Sequence, residues 1–259
     1  RLCGDYKEAC DLGEDAHAYG VRELGPEHYW TLRAAKDLSI AYRRAGRYDE
    51  ALTLAREVLA KFERIYGKEH PDTMAAVVNL SNILRTTGNV DEAFALSTET
   101  LQHYPSIYGP DHPYTYGCAM NLALLHRLRG DLELARETGR KALHGLEARL
   151  GRMHDYTLTC AVNLASDHAV SGDHRTAREL GEDALPRLRE LLGEDHPMTL
   201  ACAANLSVDL RALGLEEEAT RLFEDTMARY HATLGPDHAD TQVAMVGRRL
   251  DCDFDPPPI

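Results

Sequence analysis

An unbroken period of 42 residues runs through this chain. A short block ending in histidine recurs at that spacing, and a threonine follows each histidine by three residues. The histidines are His28, His70, His112, His154, His196 and His238. A chain of this kind folds as a stack of similar units, because one short unit cannot bury its apolar face alone. The period therefore predicts a solenoid.

Two glycine positions divide each period into two helical segments. In the second period Pro71 favours the first turn of a helix, so His70 before it is predicted to be the N-cap. Apolar residues continue at helical spacing to Gly88, since glycine readily takes the left-handed conformation that ends helices. A second helix is predicted from Asp91 to Tyr108. Small residues recur on both segments, which predicts closely packed helix pairs.

The repeat resembles a known family. The turn Gly46–Ala51 and the run Asn121–Ala123 match the tetratricopeptide repeat, and the 42-residue period with G-P-D-H-P-x-T between units resembles its kinesin light chain-like branch, of bacterial type. The resemblance covers nearly the whole chain. It implies an all-α fold, a right-handed superhelix (α-solenoid) of antiparallel helix pairs, with first helices lining a concave groove.

The phase of the repeat predicts the domain boundaries. We expect the second helix of a truncated repeat at 1–24, whole units at 25–66, 67–108, 109–150, 151–192 and 193–234, a terminal capping helix at 235–250, and a Pro-rich tail at 251–259. The chain is thus expected to begin inside a repeat. Consecutive prolines prevent the tail from continuing a helix. Phe254 is expected to dock on the last helix as a cap, with a disordered end as the alternative.

Composition excludes several classes of function. The chain has 29 basic and 42 acidic residues, a formal net charge of -13, which argues against a broad nucleic-acid or anionic-membrane surface. No apolar run is long enough to span a bilayer. Six cysteines without a C-x-x-C pair indicate neither a zinc site nor a redox motif and fit a reducing cytoplasm. Cys118, Cys160 and Cys202 form one column and are predicted to be core residues.

Metal, cofactor and catalytic sites are not predicted. Helices pack about 8–10 Å apart, and zinc needs its ligand nitrogens within about 2.1 Å, so the periodic histidines are interpreted as helix caps rather than metal ligands. The chain has no phosphate-binding loop, no H-E-x-x-H, no G-x-S-x-G and no dinucleotide fingerprint. We therefore expect no enzymatic activity.

The candidate binding residues form two columns on the predicted first helices. The asparagine column contains Asn79, Asn121, Asn163 and Asn205. A carboxamide carries both donors and an acceptor, so an inward-facing column could bind the backbone of any extended peptide. The alternative is that these asparagines fix neighbouring helices. Asp37 replaces asparagine in the first whole unit, which weakens the pattern.

An arginine column lies six residues further on. Its members are Arg43, Arg85, Arg127 and Arg211, with Ala169 as an exception. A guanidinium group can form a bidentate pair of hydrogen bonds with one carboxylate, which predicts an acidic or carboxylate-terminated peptide ligand. The alternative is that the helix dipole alone favours arginine in the last turn. Lys36 and Asn82 are further candidates, but they do not reproduce the family's carboxylate clamp within one unit, so chaperone-tail binding is not predicted.

These observations predict a protein-binding module. The resemblance implies a cytoplasmic sensor or recruitment region of a larger bacterial signalling or peptide-maturation protein, in which a nucleotide-binding switch domain could precede the repeats. The rival hypothesis is a structural one, in which the repeats self-associate as a homodimer or hold another domain inactive and the groove binds nothing from outside.

Overall fold

The computed structural model describes residues 4–256, and within them all regular secondary structure is helical. The helices, in sequence order, are α1 (Tyr6–Glu23), α2 (Tyr29–Arg44), α3 (Tyr48–Tyr66), α4 (Pro71–Thr86), α5 (Val90–Ile107), α6 (Pro113–Leu128), α7 (Leu132–Leu150), α8 (Asp155–Val170), α9 (His174–Leu192), α10 (Pro197–Ala212), α11 (Glu216–Thr233) and α12 (Ala239–Met245). The predicted all-α fold class is confirmed.

The described residues form two compact units. Unit 1 contains the described residues of Arg1–Pro110 and Asp255–Ile259, and unit 2 contains Asp111–Phe254. In unit 1, helices α1 to α5 pack consecutively, each on the next. In unit 2, helices α6 to α11 do the same, and α12 packs on α10 and α11. Successive first helices also touch directly, as α6 touches α8 and α8 touches α10. This packing is typical of a solenoid of helix pairs.

The periodic histidines are helix caps, as predicted. The even-numbered helices α2 to α12 each follow one of them, and its Nδ1 accepts a hydrogen bond from the backbone N–H two residues later. The N···N distances are 3.1–3.4 Å. One of the unpaired N–H groups at each helix start is thereby satisfied.

The cap at α10 provides a stability test. Replacing His196 by alanine removes the acceptor for the N–H of Met198 and should lower the free energy of unfolding by about 1 kcal/mol. The change is measured by chemical denaturation. His144 is exposed within α7 and caps no helix, so His144→Ala serves as control and should change stability by less than about 0.5 kcal/mol. Equal losses in the two variants would contradict a capping role.

The last helix is shorter than predicted. We expected a capping helix over 235–250, but α12 ends at Met245. Gly247 adopts a left-handed φ of 67°, which stops the helix, and the residues from Arg248 to Pro256 form no further helix. The backbone therefore leaves α12 five residues earlier than expected.

Small residues form the helix-pair interfaces. The alanine column of the second helices is fully buried, at 0% exposure for Ala51, Ala93, Ala135, Ala177 and Ala219. Its lack of bulk lets paired helices approach closely. The five described cysteines are free and buried. This confirms the prediction that Cys118, Cys160 and Cys202 are core residues. Cys3 lies outside the described residues.

Candidate functional site

The asparagine column of unit 2 holds the backbone of residues Arg249–Phe254, here called the C-terminal segment. Three asparagines on α6, α8 and α10 are each at most 3% exposed. The Nδ2 of each donates to a backbone C=O, and its Oδ1 accepts from the N–H of the same residue, at 2.5–2.9 Å. The pairs are Asn121 with Phe254, Asn163 with Cys252, and Asn205 with Leu250.

The C-terminal segment is held in an extended form. The bonded residues are two apart, which is the period at which side chains of an extended backbone return to the same side. These bonded residues, Leu250, Cys252 and Phe254, are all buried. The intervening positions are acidic, Asp251 and Asp253. Apolar and acidic side chains therefore alternate along the segment.

Arg127 connects the segment to the helices. From the last turn of α6 its Nη1 donates to Oδ1 of Asp167 at 2.5 Å and to the C=O of Asn163 at 3.3 Å, and its Nη2 donates to the carboxylate of Asp251. Such charge-assisted pairs are the stronger hydrogen bonds of proteins. One buried cation thus forms ion pairs with two carboxylates, one on α8 and one on the segment.

In a second ion pair the cation belongs to the segment and the carboxylate belongs to a helix. Arg249 of the segment donates to Asp209 on α10 at 2.7 Å and to Oγ of Ser166 on α8 at 3.0 Å. In the predicted arginine column, Arg211 is 42% exposed and its Nε lies 3.6 Å from the carboxylate of Glu216. The surface in unit 2 therefore carries both positive and negative side chains.

Asp167 provides a pH test. Burial raises the pKa of Asp167 to about 6, and the Arg127 guanidinium opposes the rise. Because the folded state binds this proton more readily than the unfolded state, the group makes stability fall as pH rises from about 4 to about 6, by at most about 3 kcal/mol. Asp167→Asn removes this dependence. The difference in unfolding free energy between the wild type and the variant should decline over that range, and a flat difference would contradict the raised pKa.

In unit 1 two of the candidate residues and one further arginine contact Asp255. Its carboxylate accepts from Arg43 at 2.5 Å, from Arg44 at 2.8 and 3.1 Å, and from Nδ2 of Asn82 at 3.2 Å. Arg43 and Asn82 were candidates from the sequence, whereas Arg44 was not. Three donor side chains thus converge on one acidic residue.

The other unit 1 candidates have different surroundings. Lys36 is buried, with its Nζ 3.8 Å from Oδ1 of Asp37, and Arg85 is half-buried in the last turn of α4. Asn79 donates to Oγ of Ser39 at 2.7 Å, so it ties α4 to α2. Its buried Oδ1 accepts no hydrogen bond from the described residues. The Nδ2 group of Asn79 therefore links two neighbouring helices, which is the alternative interpretation of the asparagine column, whereas its Oδ1 forms no such link.

Phe254 docks in a different place from the one expected. It was predicted to cap the last helix, but its ring lies against α6 and α8 and is 1% exposed. Its centroid is 5.9 Å from that of Tyr114 and 5.0 Å from that of Tyr156. A Cβ at Gly117 would lie 2.6 Å from the ring. The absence of a side chain at position 117 therefore creates the space that Phe254 fills.

Sequence reasoning missed the residues that complete this site. They are Arg44, Tyr114, Gly117, Tyr156, Asp167, Asp209 and Arg249. Two signals were available in the repeat. Position 117 carries glycine in a helical column otherwise occupied by Arg33, Ala75, Thr159, Ala201 and Val243. Asp167 and Asp209 are acidic in a first-helix column that is apolar in the three preceding units, at Ala41, Ile83 and Leu125.

Two further properties concern the described part of the protein. Among residues 4–256, no group of three or more His, Cys, Asp or Glu side chains is placed to hold a metal ion. None of the helices α1 to α12 combines the length and the apolar character that a bilayer crossing requires.

The sequence matches the family model described as tetratricopeptide repeat over residues 1–64, 41–104, 72–148 and 156–232. No curated protein matches the sequence. Among solved structures, the nearly identical TPR-like repeats of a Podosopora anserina protein classed with the kinesin light chains are 26% identical. That match covers 78% of this chain and 95% of the other, with a TM-score of 0.59.

Two more distant structures share the fold. BtubC (BKLC) from P. vanneervenii is 17% identical over 100% of this chain and 97% of its own, with a TM-score of 0.61. NprR, solved in complex with its cognate peptide NprX, is 14% identical over 88% of this chain and 70% of its own, with a TM-score of 0.65.

Proposed function

Since the chain belongs to the tetratricopeptide repeat family, we propose that it is a non-catalytic scaffold that recognises an extended, acidic segment of a partner protein. We place the recognition on the first-helix surface of unit 2, defined by Asn121, Asn163, Asn205 and Arg127. The observation that carries the proposal is the two-way bonding of each asparagine to the backbone of one residue.

The bonding pattern favours peptides because it uses the backbone. Every residue except proline carries one N–H and one C=O, and the asparagines bind both groups of every second residue. Backbone recognition of this kind accepts many sequences, and contacts with side chains then select among them. NprR, which shares the fold, was solved with a peptide, and this supports a peptide as the class of ligand.

The preference for acidic ligands follows from Arg127. Its guanidinium binds the carboxylate of Asp251, which belongs to the C-terminal segment. An acidic partner segment would offer the same carboxylate, whereas a basic one would place a like charge beside Arg127.

A second candidate function is structural. The C-terminal segment already occupies the first-helix surface, which favours an autoinhibitory or self-associating repeat region with no outside ligand. The wider context that we propose is a cytoplasmic sensor or recruitment region of a larger bacterial signalling or peptide-maturation protein, and it rests on the family resemblance.

The test uses the full-length protein with a weakened C-terminal segment, Asp251→Ala/Phe254→Ala, here called the released variant. Labelled peptides of alternating Asp-Ala, Asn-Ala and Lys-Ala are titrated against it by fluorescence anisotropy. We expect the acidic peptide to bind at least about tenfold tighter than the others, with an affinity that falls as salt rises. Adding Asn121→Ala/Asn163→Ala should abolish binding. If no peptide binds and the released variant dimerises, the structural alternative holds.

A further inference from the structure

We propose that the C-terminal segment is an intramolecular ligand of the first-helix surface, and that the outside partner carries the same chemistry. That partner is an extended peptide in which acidic and apolar residues alternate and an aromatic residue takes the place of Phe254. The inference rests on the proposed function and adds to it both the ligand pattern and a competitor built into the protein.

The floor beneath the segment is mixed. The side chains that hydrogen-bond to the segment on α6, α8 and α10 are amides, charged groups and one hydroxyl, among them Asn163, Arg127 and Asp209. Leu250 and Cys252 also join a buried apolar cluster with residues of α8 to α12. The polar groups can be hydrated when the segment leaves, whereas the apolar surface needs another occupant. A ligand that replaces the segment must therefore supply apolar side chains at the positions of Leu250 and Cys252.

The aromatic position is the most selective part of the surface. Tyr114 and Tyr156 contact the Phe254 ring from two helices, in tilted and edge-to-face arrangements. Gly117 lies beside the ring on α6, and any Cβ at this position would collide with the ring. Glycine in a helix interior costs about 1 kcal/mol relative to alanine, so this cavity is kept at the expense of helix stability. It forms a subsite for one aromatic side chain.

The next most selective position is that of Asp251. Arg127 binds its carboxylate while remaining fixed by Asp167 on α8. A guanidinium held in this way is oriented before a ligand arrives, so less conformational freedom is lost on binding. An acidic residue three positions before the aromatic one therefore completes the pattern.

Covalent attachment gives the segment its advantage. Gly247 begins the extended stretch, and a short tether gives an effective concentration in the millimolar range. An outside peptide of equal intrinsic affinity therefore competes poorly with the attached segment. Weakening the attached copy should expose the surface.

The probe for this inference is a labelled peptide with the sequence of residues 248–256, carrying serine for Cys252. It is titrated against the full-length wild type and against the released variant, with circular dichroism to show that both are folded. We expect the released variant to bind at least about tenfold tighter. Replacing phenylalanine by alanine in the probe, or adding Gly117→Ala to the released variant, should weaken binding at least about tenfold.

The outcomes separate the two proposals. If the wild type binds the probe as tightly as the released variant, the segment is not a competitor and the inference is overturned. If an alternating Asp-Ala peptide binds the released variant as well as the probe does, the aromatic subsite is wrong while the proposed function stands. If the released variant binds no peptide although amide exchange shows that its own segment is free, both fail.

Discussion

Replacing Arg127 by methionine is expected to lower the free energy of unfolding by about 3 kcal/mol at pH 7.5. Asp167 is 1% exposed and Arg127 is its ion-pair partner, so the variant leaves a buried carboxylate without that partner. The loss should be smaller at pH 5, because Asp167 can then take up a proton. Chemical denaturation at the two pH values measures both effects.

The repeat itself provides the matched control. Arg211 occupies the same column on α10 but is 42% exposed, so Arg211→Met should cost less than about 0.5 kcal/mol. Adding Asp167→Leu to the Arg127 variant should recover most of the lost stability, since it removes the buried charge. Equal losses at Arg127 and Arg211 would show that the buried ion pair adds no more to the free energy of unfolding than an exposed arginine does.

Local chemistry made most of the fold predictable. His70 and Pro71 fix where a helix starts, Gly88 fixes where it ends, and the period carries each signal to the other units. The last helix departed from this pattern because Gly247, which no other unit has at that position, ends it early. The period predicts what the units share, and Gly247 belongs to one unit alone.

The site was only half predictable, for a geometric reason. The asparagine column could be read as a backbone binder from its chemistry and spacing. Its occupant could not, because pairing Phe254 with Asn121 joins residues 133 apart in the sequence. Nothing in the local pattern of the tail encodes that register. The glycine at position 117 marks the docking point only once the path of the segment is known.

Replacing Asn121 and Asn163 together by alanine is expected to detach the end of the C-terminal segment without unfolding the helices. The change removes four hydrogen bonds to Cys252 and Phe254. At about 1 kcal/mol each with partial compensation by water, the loss is about 3 kcal/mol. Amide exchange at Cys252 and Phe254 should therefore become about 100-fold faster.

The control for this variant is Asn79→Ala. Asn79 belongs to the same column but bonds to Ser39, so its loss should leave exchange at Cys252 and Phe254 unchanged. Helical amides of α6 should keep their protection in the double variant, because their bonds lie within the helix. If those amides lost protection together with the segment, the asparagines would act chiefly in helix packing, and a segment that cannot leave without unfolding α6 could not be exchanged for a partner.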